Sequence, residues 1–302
     1  MPIVLCVLGM VLVGSSVAIS QVLLDYPLLT GQSLRYTVAA VVLFAVARLF
    51  PRLGAGSSPA RPDRRELAVL TALAATGMAA FNACVMIGLR HAGPAVVGTI
   101  IGAAPLGLAL LGPMLRGAPP TLRVVTAAAV VVGGTALVQG TGHADPVGLL
   151  AAGGALAGEV LFTLLAAAVL PRIGAVRVAA WSSALAAPLL LVGGLVAGEA
   201  ARARLPTTIE LGALASMAVL TTVVAFVLWF VGLQRLGTER AGMIVGVMPI
   251  ATLATAAIMA GDLPGAGPTL GVLTVAGGLA LGLTASARPA SRAASRPWRV
   301  RA

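Results

Sequence analysis

Long apolar runs separated by short clusters of Gly, Pro and Arg follow one another along almost the whole chain. A run of about 17 to 25 apolar residues is what a helix needs to cross a hydrocarbon core roughly 30 Å thick. Cutting the chain at its breakers predicts helices over residues 2–24, 28–48, 67–89, 94–115 and 122–139, then 147–170, 174–197, 211–233, 240–261 and 268–285. The expected fold class is therefore all-α and integral to the membrane, with ten transmembrane helices. An even number of spans places both termini on one side.

Charge says which side. With the N-terminus in the cytoplasm, the inner connections hold Arg48, Arg52, Arg61, Arg64, Arg65, Arg116, Arg123, Arg172, Arg177, Arg235 and Arg240, and the tail adds Arg288, Arg292, Arg296, Arg299 and Arg301. Only Arg90, Arg202 and Arg204 fall outside, and Arg35 lies within a span, a 16 to 3 bias that predicts cytoplasmic termini. The expected location is the inner (plasma) membrane of the cell, with residues 286–302 as a basic, disordered cytoplasmic tail. Composition agrees: 59% of residues are hydrophobic and 10% charged, against about 25% charged in soluble domains. The net charge of +11 does not point to nucleic acid, because the Arg residues sit between apolar segments rather than on one water-facing surface. Cys6 and Cys84 lie inside apolar runs and are read as structural thiols. The N-terminus lacks the basic region of a cleaved signal, so the first helix is expected to remain.

Sliding the sequence against itself by 144 residues brings Gly9 onto Gly153, Gly14 onto Gly158, Pro27 onto Pro171 and Glu66 onto Glu210. The stretch GLRHAGPAVVGTIIGAAP, from Gly88, falls on GLQRLGTERAGMIVGVMP, from Gly232, and Gly133 and Gly134 land on Gly277 and Gly278. One constant offset over the whole length indicates duplication. Residues 1–140 form a first repeat and 147–285 a second. Each has an odd number of spans, so the second enters the membrane from the opposite side. Inverted repeats are the architecture by which a carrier exchanges inward-open and outward-open states.

The repeat also resembles the EamA-type branch of the drug/metabolite transporter superfamily. The features that carry the resemblance are VGSSVAI on the first helix, Arg35 with Ala39 and Ala40 on the second, the GLRHAG and GLQRLG turns, Pro105 and Pro249, and the acidic Asp262 after the ninth helix. Val13 stands where the family commonly has an aromatic before the first-helix glycine. The resemblance implies movement of metabolites or drugs through a central cavity.

A charge in the middle of a membrane helix costs about 3 kcal/mol even on the lenient insertion scale, so each one calls for a partner or a purpose. Glu159 lies near the bilayer midplane, about 18 Å from the outer end of its span, and Arg35 about 10 Å below the outer end of the second. In the repeat they correspond to Ser15 and Ala179, so each charge belongs to one half alone. Glu159 is expected to face a central cavity and there bind a cationic group or accept a proton; the alternatives are an ion pair with Arg35 or a carboxyl kept protonated by burial. Arg35 reads either as bundle structure or as a contact for an anionic group. Asn82, Ser15, Ser16 and Gln21 form an outer polar set that either serves the substrate or bonds neighbouring helices. Trp229 and Phe226 either line the cavity or belong to an interfacial belt. Pro105 and Pro249 interrupt matched helices and are candidate hinges. His91 and His143 fall in outer connections and are read as solvated rather than metal ligands.

The function expected is secondary transport of a small metabolite or drug by alternating access, as an exporter driven by proton or substrate exchange. HExxH, GxSxG and P-loop motifs are missing, so an enzyme is not expected, and no metal or cofactor is implied. A channel or a membrane-embedded enzyme is the alternative. The expected partners are the small-molecule substrate, the lipid bilayer and protons, for a chain acting as monomer or homodimer.

Overall fold

The computed structural model describes residues 1–302 except 24, 58–60, 116, 141, 203, 262–264 and 286–302. Asp262, Arg116 and the basic tail therefore lie outside the described residues, as does the side chain of Gln21. The described chain is all helical apart from turns and two isolated backbone bridges. Its helices are α1 (Pro2–Ser20), α2 (Leu28–Leu49), α3 (Arg64–His91), α4 (Pro94–Ile101 continued by Ala104–Leu115), α5 (Leu122–Gln139), α6 (Pro146–Ile173), α7 (Ala175–Val196), α8 (Thr208–Leu236), α9 (Thr238–Ile244 continued by Val247–Ala260) and α10 (Ala266–Ala285). Among the described residues, eight helical stretches are long and apolar enough to cross a membrane: those of α2 to α8 and α10. In α1 the qualifying apolar piece is shorter, Pro2–Ser16, and α9 is broken in two.

Local chemistry explains where the rods begin and bend. Asp63 and Glu66 close a capping box at the start of α3, and Thr207 and Glu210 close another at the start of α8. Each is followed by a π-helical stretch, Leu73–Ala80 in α3 and Met217–Val224 in α8, every bound lying 144 residues from its twin. The breaks in α4 and α9 fall at Gly102–Ala103 and Val245–Gly246, immediately before Pro105 and Pro249. Proline cannot donate to the carbonyl four residues back. The chain tightens instead, with Ala103 donating to Ile100 (3.1 Å) and Met248 to Val245 (3.0 Å). The two prolines thus sit in the first turn of the following piece, where a missing N–H costs nothing.

Packing follows a two-fold rule. α2 lies along α7 and α5 along α10, while α1 fits between α8 and α9 as α6 fits between α3 and α4. Exchanging each of the first five helices for its counterpart five later maps these contacts onto themselves. Small residues bring the rods close: a Cβ on Gly158 would stand 2.9 Å from the Thr76 carbonyl oxygen, and one on Gly14 would overlap the Met248 carbonyl. The largest core cluster contains Leu43, Leu70, Leu73, Met78, Leu108, Phe162, Leu170, Leu190 and Phe230. Large apolar side chains also cover the outside, including Leu150, Val196, Ile209 and Ile258, as suits a surface solvated by lipid.

The ends are tied by polar contacts. Arg172, at the end of α6, pairs with Glu66 and reaches Asp63 at 3.6 Å. At the opposite end, Glu199 is buried and accepts hydrogen bonds from the backbone N–H of Leu29 (3.0 Å) and Thr30 (2.8 Å) and from the Thr30 hydroxyl (2.8 Å). The N-cap residue of α2 is Pro27, which offers no side-chain acceptor, so Glu199 takes the cap's place. At the start of α7 the corresponding task falls to backbone: Ala175 donates to the Gly54 carbonyl at 2.7 Å.

Candidate functional site

Glu159 sits in the middle of α6, and the exposure of its neighbours fixes the direction it takes. Ala157, Leu161 and Ala168 are exposed and mark the lipid face of the helix. At about 100° per residue, Glu159 lies diametrically opposite that face, toward the interior of the bundle. It is partly exposed there, so it borders space inside the protein rather than close-packed atoms. Among the described residues no hydrogen bond or ion pair involves it, and the ion pair with Arg35 does not form. Such a carboxylate is costly to keep in a membrane interior.

One turn further along the same face is Thr163, fully buried, whose hydroxyl has no partner. Leaving it so costs about 1–3 kcal/mol. Phe162, between them in the chain, belongs to an aromatic cluster. Phe162 stacks on Phe230 (centroids 5.4 Å apart, planes at 27°) and meets Phe226 at 5.4 Å, and Phe226 reaches Tyr36 at 6.5 Å.

Arg35 ends this cluster on the other side. Its Nε donates to the Thr222 hydroxyl (2.7 Å), in the π-helical stretch of α8, and Nη1 to Gln32 (3.1 Å), while the guanidinium lies over the Tyr36 ring at 5.2 Å. Arg35 is 8% exposed and braces α2 against α8. These contacts favour the bundle-structure reading over a free anion contact.

From Thr163 the stripe continues through Ala167 to Leu170, both of which line a cavity of about 180 Å³ between the ends of α4, α6, α8 and α9. Its other walls are Gly112, Leu115, Leu164, Pro171, Leu233, Gln234, Gly237 and Thr238. It lies toward the end of the bundle that carries Arg172 and Arg235.

The other expected site residues are distributed differently. Ser15 accepts from the Thr255 hydroxyl (3.0 Å), and Thr252 donates to the Gly14 carbonyl (3.0 Å), so this polar group joins α1 to α9. Ser16 donates to the Val13 carbonyl (2.7 Å) and Asn82 to the Met78 carbonyl (2.7 Å), each within its own helix. Trp229 is 3% exposed, and its backbone faces Gly9 of α1. Pro105 and Pro249 stand at the matched breaks of α4 and α9, helices that touch each other. Glu159 thus shares a helix face with Thr163, and makes no hydrogen bond or ion pair with Arg35, Asn82 or Ser15. Thr163 was expected as a polar flank of Glu159 on a cavity-facing stripe, whereas Phe162, Thr222 and Glu199 escaped the sequence reading. A helix opening on Pro with no acceptor of its own was the available signal for Glu199.

Outside the spans, His91 Nδ1 meets Asp145 at 2.9 Å, and Asp145 also accepts from Gly148 N–H (2.8 Å). Those bonds, the Gly148 amide first and the His91 side chain second, hold the Asp145 carboxyl below its usual value. Arg204 is raised by its bonds to Glu210, at 2.5 and 2.6 Å. Among the described residues no group of His, Cys, Asp and Glu could hold a metal ion.

Known proteins share this arrangement. The model of the EamA-like transporter family matches the chain twice, over residues 1–139 and 147–284. The chain is 24% identical over 258 residues to the uncharacterized transporter YetK of Bacillus subtilis (strain 168), covering 81% of this chain and 75% of that protein. A solved crystal structure, 18% identical, superposes with a TM-score of 0.78 over 95% of this chain and 99% of its own, which establishes a shared fold. With nearly every described helix inside one of the two matches, the chain belongs to the EamA-like transporter family, as a multi-pass membrane protein.

Proposed function

We propose that the chain is a secondary transporter of the cytoplasmic membrane, moving a small metabolite or drug by alternating access of two inverted five-helix repeats, residues 1–140 and 147–285. In this reading all ten helices cross the bilayer, α1 and the broken α9 included, and both termini are cytoplasmic. The doubled family match, the exchange-symmetric helix contacts and the π-helical stretches at one constant offset support the duplication. The Arg bias supports the orientation.

The observation that carries the proposal is Glu159, an unpaired carboxylate aimed at the interior from mid-helix. It binds a cationic group of the substrate or, in its absence, a proton, so that the two exchange and the proton gradient drives export. The cavity between α4, α6, α8 and α9 is the cytoplasmic vestibule from which the substrate reaches it. Substrate-stimulated counterflow in proteoliposomes tests this, with the substrate first drawn from a metabolite screen by thermal stabilisation. Saturable exchange that is lost, together with its pH dependence, in a folded Glu159→Gln variant is the expected result. Unchanged exchange and unchanged pH dependence in that variant would refute the role of Glu159, and non-saturable flux would make the protein a channel.

A further inference from the structure

We propose that Thr163 and Glu159 form a two-point site for an ammonium group that still carries N–H, a primary or secondary amine, and that the site discriminates against quaternary ammonium. This rests on the reading of Glu159 as the substrate carboxylate.

The observation is the state of the Thr163 hydroxyl. Threonines inside membrane helices ordinarily donate to the carbonyl four residues back. Thr37, Thr76 and Thr135 do so, at 2.7–3.0 Å. Thr163 is fully buried, yet its oxygen has no partner. It stands four residues from Glu159, hence on the same face and one turn nearer the cavity. Two oxygens without partners, one charged and one neutral, thus stand one turn apart on the interior face of α6.

An N–H-bearing ammonium group meets both needs. Its charge is taken by the carboxylate, and one N–H donates to the hydroxyl oxygen. A quaternary ammonium has the charge and no donor, so it would leave Thr163 unsatisfied. The route in limits the rest of the molecule: Leu115, Leu164, Leu170 and Leu233 make the cavity walls largely apolar, with Gln234 and Thr238 as the polar exceptions. Phe162, next to Thr163 in the chain, packs on Phe226. The body attached to the amine is accordingly compact and apolar or aromatic, and not a polyhydroxylated sugar.

The test uses the full chain, purified and reconstituted, with 2-phenylethylammonium and its N,N,N-trimethyl analogue as probes, read as concentration-dependent thermal stabilisation at pH 7. The wild-type protein is expected to bind the primary amine about tenfold or more tightly than the trimethyl form, the value of one hydrogen bond to a charged group. Thr163→Val removes that preference, and Thr163→Ser keeps it; should the valine variant not fold, Thr163→Ala is read in its place. Glu159→Gln abolishes binding of both probes. The inference is overturned if the wild type binds neither probe, binds both equally, or keeps its preference in Thr163→Val. If Glu159→Gln binds both probes as the wild type does, it is the reading of Glu159 itself that fails.

Discussion

Removing the carboxylate of Glu199 should loosen the N-terminal end of α2. Three bonds depend on it: those from Leu29 N–H, Thr30 N–H and the Thr30 hydroxyl. Loss of a helix cap costs about 1–2 kcal/mol, and amides left unpaired in a buried setting add about 1–3 kcal/mol. Some of these groups regain water in the variant, so Glu199→Ala should lower stability by about 2–4 kcal/mol, and Glu199→Gln, which keeps one acceptor oxygen, by about half as much. Equilibrium unfolding of purified protein in mixed micelles measures this directly, with Leu150→Ala as a lipid-facing control, since Leu150 is 77% exposed. A double-mutant cycle with Thr30→Val isolates the hydroxyl bond and should return a coupling of about 1 kcal/mol. If Glu199→Ala lies within about 0.5 kcal/mol of the wild type, the range of a neutral surface change, the capping argument is wrong.

Gly14→Ala should destabilise by about 1–3 kcal/mol, because its Cβ meets the backbone of Met248, which cannot move aside; Gly133→Ala, with nothing within 4 Å, should be neutral or stabilising in the same unfolding assay. Arg35→Met and Thr222→Val should each destabilise, and a double-mutant cycle should show their coupling, since each leaves the other's buried group unpaired. Asp145→Ala should weaken the junction of α3 and α6. Because the folded Asp145 carboxyl titrates below its ordinary 3.8, its contribution is present above that pH and is lost as pH falls through the lower value, so wild type and variant should converge in strongly acidic solution. In a background without Cys6 and Cys84, Ala55→Cys should be labelled only from the cytoplasmic side and Asp145→Cys only from outside; labelling of both from one side would remove the inverted repeat.

Helix positions were largely legible, because apolar runs bounded by Gly, Pro and Arg report directly on what lipid accepts. The offset of 144 matched Pro105 with Pro249, where the helices break, and Glu66 with Glu210, whose capping role only the structure shows. The π-helical stretches were not legible: LAATGMAA and MAVLTTVV carry no residue that demands an extra turn, and only packing between rods selects it. Glu159 could be singled out because a lone acid in an apolar run is expensive wherever it points. Its direction and its lack of a partner are tertiary facts. Arg35 was conspicuous for the same reason, but its partner Thr222 lies 187 residues away and is one hydroxyl among many. Glu199 looked like an ordinary loop acid, since the Leu29 amide it caps lies 170 residues earlier.

A helix with a wide turn accommodates one residue more than its straight neighbour over the same rise, so everything beyond is rotated by about a quarter of a circle. In α8 that phase change lets Thr222 meet Arg35 while Phe226 and Phe230, just after it, join the aromatic cluster. Excising a single residue between 217 and 224 would restore a uniform pitch and turn the two rings away from Phe162, even though every side chain named in the binding site were still present.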